Sequence, residues 1–210
     1  MSGPVVPPVV TRFLPRLQNV RLRMQASAVD ALVVSHLPNI RYLTGFTGTA
    51  GLLVLTPAAS VLVVDFRYQT MARRLLASTP DLDTHLTIVV PARTYDETVA
   101  EVLRESGARR IGIEATSMPV SRFNRLSAAL AGSAPTPLRS PDGCPALVPT
   151  ERIVESERVV KDESEIAVLT EADLEARAGH ASARGAVQCD EVAHGQPGPT
   201  AVDHRMTIGA

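Results

Sequence analysis

Phe13, Leu17, Val20 and Met24 recur at helical spacing, and this predicts a first amphipathic helix from about Pro15 to Ala28. Ala31-Leu-Val-Val-Ser35 follows as a continuous β-branched run suited to a buried strand. Gly51–Leu55 and Val61–Asp65 flank Thr56-Pro-Ala-Ala-Ser60, a short polar connection that predicts a hairpin and a partly antiparallel sheet. Residues from about Arg67 to Ser78 favour helix, with Met71 and Leu75 on one face and Pro80 at its end. His85–Val90 reads as a strand closed by Pro91, and Thr94-Tyr-Asp-Glu97 as a capping box that opens the next helix. Val99, Val102 and Leu103 line that helix, and Gly107 suits its left-handed stop. Arg110–Glu114 is a further strand, and Phe123, Leu126 and Leu130 mark a helix ended by Gly132.

Strand and helix alternate after the hairpin, which predicts an α/β domain: a three-layer mixed sheet flanked by helices. Pro135, Pro137, Pro141, Gly143 and Pro145 punctuate the closing edge strand and an exit loop. Charges then thicken from Glu151 to Glu165, where Lys161 and Glu165 stand one helical turn apart as a surface ion pair.

Composition narrows the function classes. Hydrophobic residues make up 45% of the 210, enough for a real core, and the formal charge of −1 gives no reason to expect nucleic acid or an anionic membrane as partner. Aromatics are scarce at 3%, which weakens base stacking further. Cys144 and Cys189 fit no CxxC pattern and suggest reduced thiols in a cytoplasmic protein. The proline-rich start, Met1 to Pro8, lacks the form of a secretory signal, and no run reaches the ~20 apolar residues of a membrane helix.

The densest motif is Asn39-Ile-Arg-Tyr-Leu-Thr-Gly-Phe46-Thr-Gly48, followed after two apolar runs by Asp65-Phe-Arg67-Tyr68. Together they closely resemble the N-terminal domain of the creatinase and Xaa-Pro aminopeptidase (prolidase-like) metallopeptidases. Arg158, Lys161, Glu165 and Ile166 match that family's Arg-x-x-Lys-x-x-x-Glu-Ile linker helix, so the resemblance runs from about Leu17 to Ala172. It implies a ribonuclease-H-like mixed sheet of the creatinase N-terminal type. It also implies a parent chemistry, hydrolysis of the bond between an N-terminal residue and proline, by a dinuclear divalent metal centre (Mn, Co or Zn). In the family that centre uses two Asp, one His and two Glu in a separate pita-bread domain.

The linker's apolar stripe, begun by Ile166 and Leu169, meets Asp173 where it should continue, and no large apolar side chain follows from Glu175 to Ala186. The expected organisation is therefore a flexible lead over 1–11, the N-terminal domain over 12–145, linker helices over 146–174, and a poorly structured tail over 175–210. The remaining thirty-odd residues are too few for a catalytic domain, so the expectation is truncation, with a shifted frame after about Ala172 as one account. The tail gathers His180, Cys189, Asp190, Glu191, His194, Asp203 and His204, but without the rigid support a metal pair requires. No metal site is expected in this chain, and none of its residues is expected to be catalytic.

In relatives the N-terminal domain sits near the catalytic cleft, sometimes a neighbouring subunit's, and can offer substrate an aromatic and an arginine. Phe46 and Arg67 are the matching candidates for substrate contact in trans, and Arg41 is a weaker one. A plainer role stands beside this one: Tyr42, Leu43 and Phe46 plug the sheet edge, and Arg67 pairs with Asp65. Gly45-Phe-Thr-Gly48 lacks a Walker lysine, and Ser35-His36 points to opposite faces of a strand, so neither carries nucleotide or triad chemistry. The expected role is a non-catalytic interaction or oligomerisation module, pairing with itself or a full-length relative. The alternative is a peptidase whose activity needs a fuller product or a separate catalytic chain.

Overall fold

A computed structural model of the chain describes residues 12–132, 145–162 and 165–176. Helix α1, Phe13–Ala26, buries Phe13, Leu17, Val20 and Met24, the stripe its spacing dictates. Each such side chain contributes about 1.5–3 kcal/mol on burial. Strand β1, Ala31–Val34, is buried along its whole length, as its unbroken apolar run requires. Helix α2, Leu37–Thr44, follows; then β2, Leu52–Leu55, and β3, Ser60–Val63, form the antiparallel hairpin. A 3-10 turn, Phe66–Tyr68, leads into α3, Gln69–Ser78, and α4, Pro80–Asp83. Next come β4, Leu86–Val89; α5, Tyr95–Glu105; β5, Arg110–Glu114; α6, Val120–Ala131; β6, Ala146–Thr150; and α7, Ile153–Val159.

The six strands lie in the order β4-β3-β2-β1-β5-β6. β1–β2 and β2–β3 are antiparallel, whereas β3–β4, β1–β5 and β5–β6 are parallel. Alternation along the strands feeds two cores. Leu32, Val34, Leu53, Leu55 and Leu62 meet α1, α2 and α7 on one face. Ala31, Val33, Leu52, Val54, Ile111 and Ile113 meet α5 and α6 on the other. The α/β three-layer class expected from the sequence is the one observed.

The capping box is present: Glu97 N–H donates to Thr94 Oγ1 at 3.2 Å, and Thr94 N–H to Glu97 Oε2 at 3.3 Å. Gly107 takes the left-handed conformation expected of it, with φ 70°.

Three features add to the sequence reading. The first part of the Asn39–Gly48 motif is helical and lies in α2. Pro38 lies in the first turn, Ile40 and Leu43 are buried on one face, and Gly45 ends the helix at φ 78°. Pro80 does not simply terminate the preceding helix; it opens α4, since a proline costs nothing where the N–H is unbonded anyway. The edge strand closes later than the prolines suggest: β6 lies at 146–150, beyond the expected domain edge at 145. Residues 135–143 of the predicted exit segment fall outside the described residues.

The first compact unit runs to Lys161, so β6 and α7 belong with the sheet. A second begins at Asp162, and its described part is a helix, α8, at 165–176. Asp162 and Glu165 cap its start reciprocally, at 2.9 and 3.2 Å. The helix passes through Asp173, where the apolar stripe fails, because Ala, Glu and Leu hold helical backbone without needing burial. Ile166, Val168, Leu169 and Leu174 are all exposed.

Candidate functional site

The two halves of the densest motif meet at one corner of the sheet. Thr44 Oγ1 donates to Ile40 C=O at 2.7 Å and accepts Phe46 N–H at 3.1 Å, closing the turn after α2. Phe46 is thereby folded inward and is only 2% exposed. Its ring meets Tyr68 edge-on, with centroids 5.9 Å apart. A Cβ on Gly48 would stand 2.2 Å from Phe46 Cζ, so glycine is needed to let the ring lie there. Thr49 and Tyr68 join their hydroxyls at 2.5 Å, which ties the turn to the 3-10 segment.

Asp65 accepts Arg67 N–H at 2.9 Å and Arg67 Nη2 at 2.7 Å. That guanidinium holds the Asp65 carboxyl below the usual carboxylate range, and Asp65 in turn raises Arg67. Tyr95 Oη accepts Asp65 N–H at 2.7 Å, and burial pushes the phenol up. The Arg67 side chain remains 62% exposed despite its partner.

Of the three residues singled out from sequence, then, Phe46 is packed in the core, while Arg67 and Arg41 are exposed. Phe46 and Leu43 plug the core from the face of the sheet, with Tyr42 packed against the same core, rather than sealing an edge. Phe66 is the aromatic that reaches solvent at this corner, being 76% exposed. Sequence reading passed it over because Phe46 stood in the richer motif. The signal was present: a residue following Asp65 at a capped turn begins a new element and no longer alternates with β3.

A second cluster went unpredicted. Glu114, at the C-terminal end of β5, is 6% exposed. Its Oε2 accepts Ser35 N–H at 2.6 Å, His36 N–H at 2.7 Å and Ser35 Oγ at 3.1 Å. Its Oε1 accepts Asn39 Nδ2 at 2.7 Å. The carboxylate thus sits before the first turn of α2, where helix polarity favours a negative charge. An acid following Ile111-Gly-Ile113 at the end of β5 was its only mark in the sequence.

The metal pair implied by resemblance finds no fit here. Both oxygens of Glu114 are committed to N–H and O–H donors, and a cation would have to displace them. Among the described residues no group of three or more His, Cys, Asp or Glu is placed to hold a metal ion. The tail candidates His180, Cys189, Asp190, Glu191, His194, Asp203 and His204 lie outside the described residues. No helix among the described residues is long and apolar enough to cross a membrane.

A mixed six-stranded sheet between two helical layers, with the α2 turn and the Asp65 turn joined at one corner, defines a three-layer α/β domain. The model of the Creatinase/Prolidase N-terminal domain matches residues 16–160, and the chain belongs to that family. It is 27% identical over 157 residues to the uncharacterized peptidase YqhT of Bacillus subtilis, covering 75% of this chain and 39% of the relative. Among solved structures, the N-terminal domain of the cytoplasmic peptidase PepQ from Mycobacterium tuberculosis is 29% identical, with a TM-score of 0.55, covering 68% of this chain and 97% of that one. The Xaa-Pro dipeptidase from Bacillus anthracis shares the fold at a TM-score of 0.61 and 23% identity, over 75% of this chain and 39% of that one. The chain thus spans 39% of the length of the full-length relatives it matches.

Proposed function

We propose that the domain is a non-catalytic N-terminal module of an Xaa-Pro-type metallopeptidase, working beside a catalytic domain in the same or a neighbouring subunit. The observation that carries this reading is the match to PepQ's N-terminal domain, which this chain covers to 97% at 29% identity. The corner formed by the α2 turn and the Asp65 turn then faces the cleft. Arg67 supplies a charge to a substrate carboxylate, Arg41 is the secondary candidate for the same contact, and Phe66 supplies an apolar edge. Phe46 supports this corner from beneath. The catalytic half binds the divalent metal pair, and the assembly is cytoplasmic and oligomeric, without nucleic acid or membrane.

A second reading has its own support. YqhT is called a peptidase and is much longer than the aligned region, so the activity can belong to a fuller product or a separate catalytic chain. Both readings place hydrolysis outside residues 12–161. The test is an Xaa-Pro dipeptide assay with manganese, using a family catalytic domain with and without this chain. Addition of the chain is expected to raise turnover, and Arg67→Ala to lower that gain at least fivefold. A gain that is indifferent to Arg67, Arg41 and Phe66 together overturns the assignment of the corner.

A further inference from the structure

Asn39 and Arg158 come from motifs 119 residues apart, one in the densest segment and one in the linker pattern, and they meet directly. Arg158 Nη1 donates to Asn39 Oδ1 at 2.9 Å. Asn39 is fully buried, and its amide nitrogen has two hydrogens to give. One goes to Glu114 Oε1 and the other to Glu155 Oε1, both at 2.7 Å. Both amide hydrogens and the carbonyl oxygen of one side chain are therefore engaged, and two of its three partners lie on α7.

The rest of α7 is attached sparely. Only Ile153 and Val154 are buried from it. Glu157 binds Arg23 of α1, and its carbonyl accepts Tyr42 Oη at 3.3 Å. Arg158 is also held by its backbone, since Lys161 Nζ donates to its carbonyl and, at 3.5 Å, to that of Val159. The Lys161 ammonium thereby caps the end of α7. A helix of seven residues with two buried side chains has little to hold it beyond these bonds.

We propose that Asn39 and Arg158 form a latch that fixes α7 against the domain as a rigid exit strut, with Arg158 as a positioning residue. The arrangement accounts for both motifs at once. Asn39 is required because an amide alone offers two donors and one acceptor at this point. Arginine is required because its fork reaches a buried carbonyl oxygen while Lys161 holds its backbone. Glu114 anchors the other side of Asn39 to β5, so the latch is referenced to the centre of the sheet. That such a strut serves to mount a catalytic half rests on the reading above; the latch itself does not.

Hydrogen exchange on the full 210-residue chain tests it, comparing the parent with Arg158→Met, Arg158→Lys, Asn39→Ala and the Asn39→Ala/Arg158→Met double variant. Arg158→Met is expected to raise exchange about tenfold at α7 amides such as Ser156, the scale of one lost bond to a charged group. Amides of β1 and β5 should keep the parent's rates, and Arg158→Lys should restore part of the protection. The double variant should exchange no faster in α7 than Asn39→Ala alone, because both remove one interaction. Unchanged α7 protection in Arg158→Met overturns the latch, as does an equal rise throughout the sheet or a fully additive double variant. Should Asn39→Ala fail to fold, the comparison of Arg158→Met with Arg158→Lys decides alone. A failed complementation assay with intact coupling between Asn39 and Arg158 would remove the functional reading and leave the latch standing.

Discussion

Replacing Glu114 by glutamine changes one atom, yet it should unsettle the centre of the domain. The carboxylate accepts from Ser35 N–H, His36 N–H, Ser35 Oγ and Asn39 Nδ2, all at 2.6–3.1 Å. A glutamine has one acceptor oxygen. If that oxygen faces Asn39, its NH2 group is pressed against two backbone N–H groups. If it faces the backbone, the NH2 group meets Asn39 Nδ2 donor to donor, and flipping Asn39 in response would break its bond from Arg158. The second arrangement is cheaper. It loses one charge-assisted bond and weakens three others, about 2–4 kcal/mol in all. That is a large share of the ~5–15 kcal/mol holding a typical domain. In urea, with a slope of about 2 kcal/mol per molar, the midpoint should fall by roughly 1–2 M. The exposed Glu101→Gln on α5 is the control and should stay within about 0.5 kcal/mol. A shift under about 0.3 M for Glu114→Gln would refute the claim that this carboxylate organises the start of α2.

The same physics gives three further outcomes. Gly45→Ala places a methyl 2.8 Å from Phe13 Cζ on backbone at φ 78°, and should cost about 2–3 kcal/mol in chemical denaturation. Ala28 lies at φ 52°, so Ala28→Gly should stabilise by about 1 kcal/mol, read as a higher thermal midpoint. Asp30 accepts the N–H groups of Arg110 and Arg109 at 2.8 and 3.0 Å, and these bonds hold its carboxyl below the usual range. A depressed acid stabilises above its unfolded value of about 4, and loses that effect as pH falls through the folded value. Asp30→Asn should therefore melt below the parent at pH 7, and the two curves should converge in strong acid.

Most of the layer order was readable because each strand of the centre is a continuous apolar run and each helix carries a clean stripe. Thr94 and Glu97 announced their helix because a capping box is local chemistry, complete within four residues. What stayed hidden depended on residues distant in sequence. Glu114 satisfies donors 75–79 positions away, and nothing near it in sequence signals that. The α2 helix was obscured by Pro38 and two glycines, although Pro38 sits where a helix tolerates it and Gly45 serves as the stop. At the candidate corner, Arg67 was legible through its motif. Phe66 was marked only by its place after Asp65, where a capped turn ends the alternation of β3.

The claim on which the rest depends is that residues 12–161 assist hydrolysis without performing it. The purified 210-residue chain should be incubated with an Xaa-Pro dipeptide across a manganese, cobalt and zinc titration, with bound metal counted in parallel. The account predicts turnover at the level of the enzyme-free blank. Metal-dependent turnover proportional to chain concentration, with two tightly bound ions per chain, would contradict it.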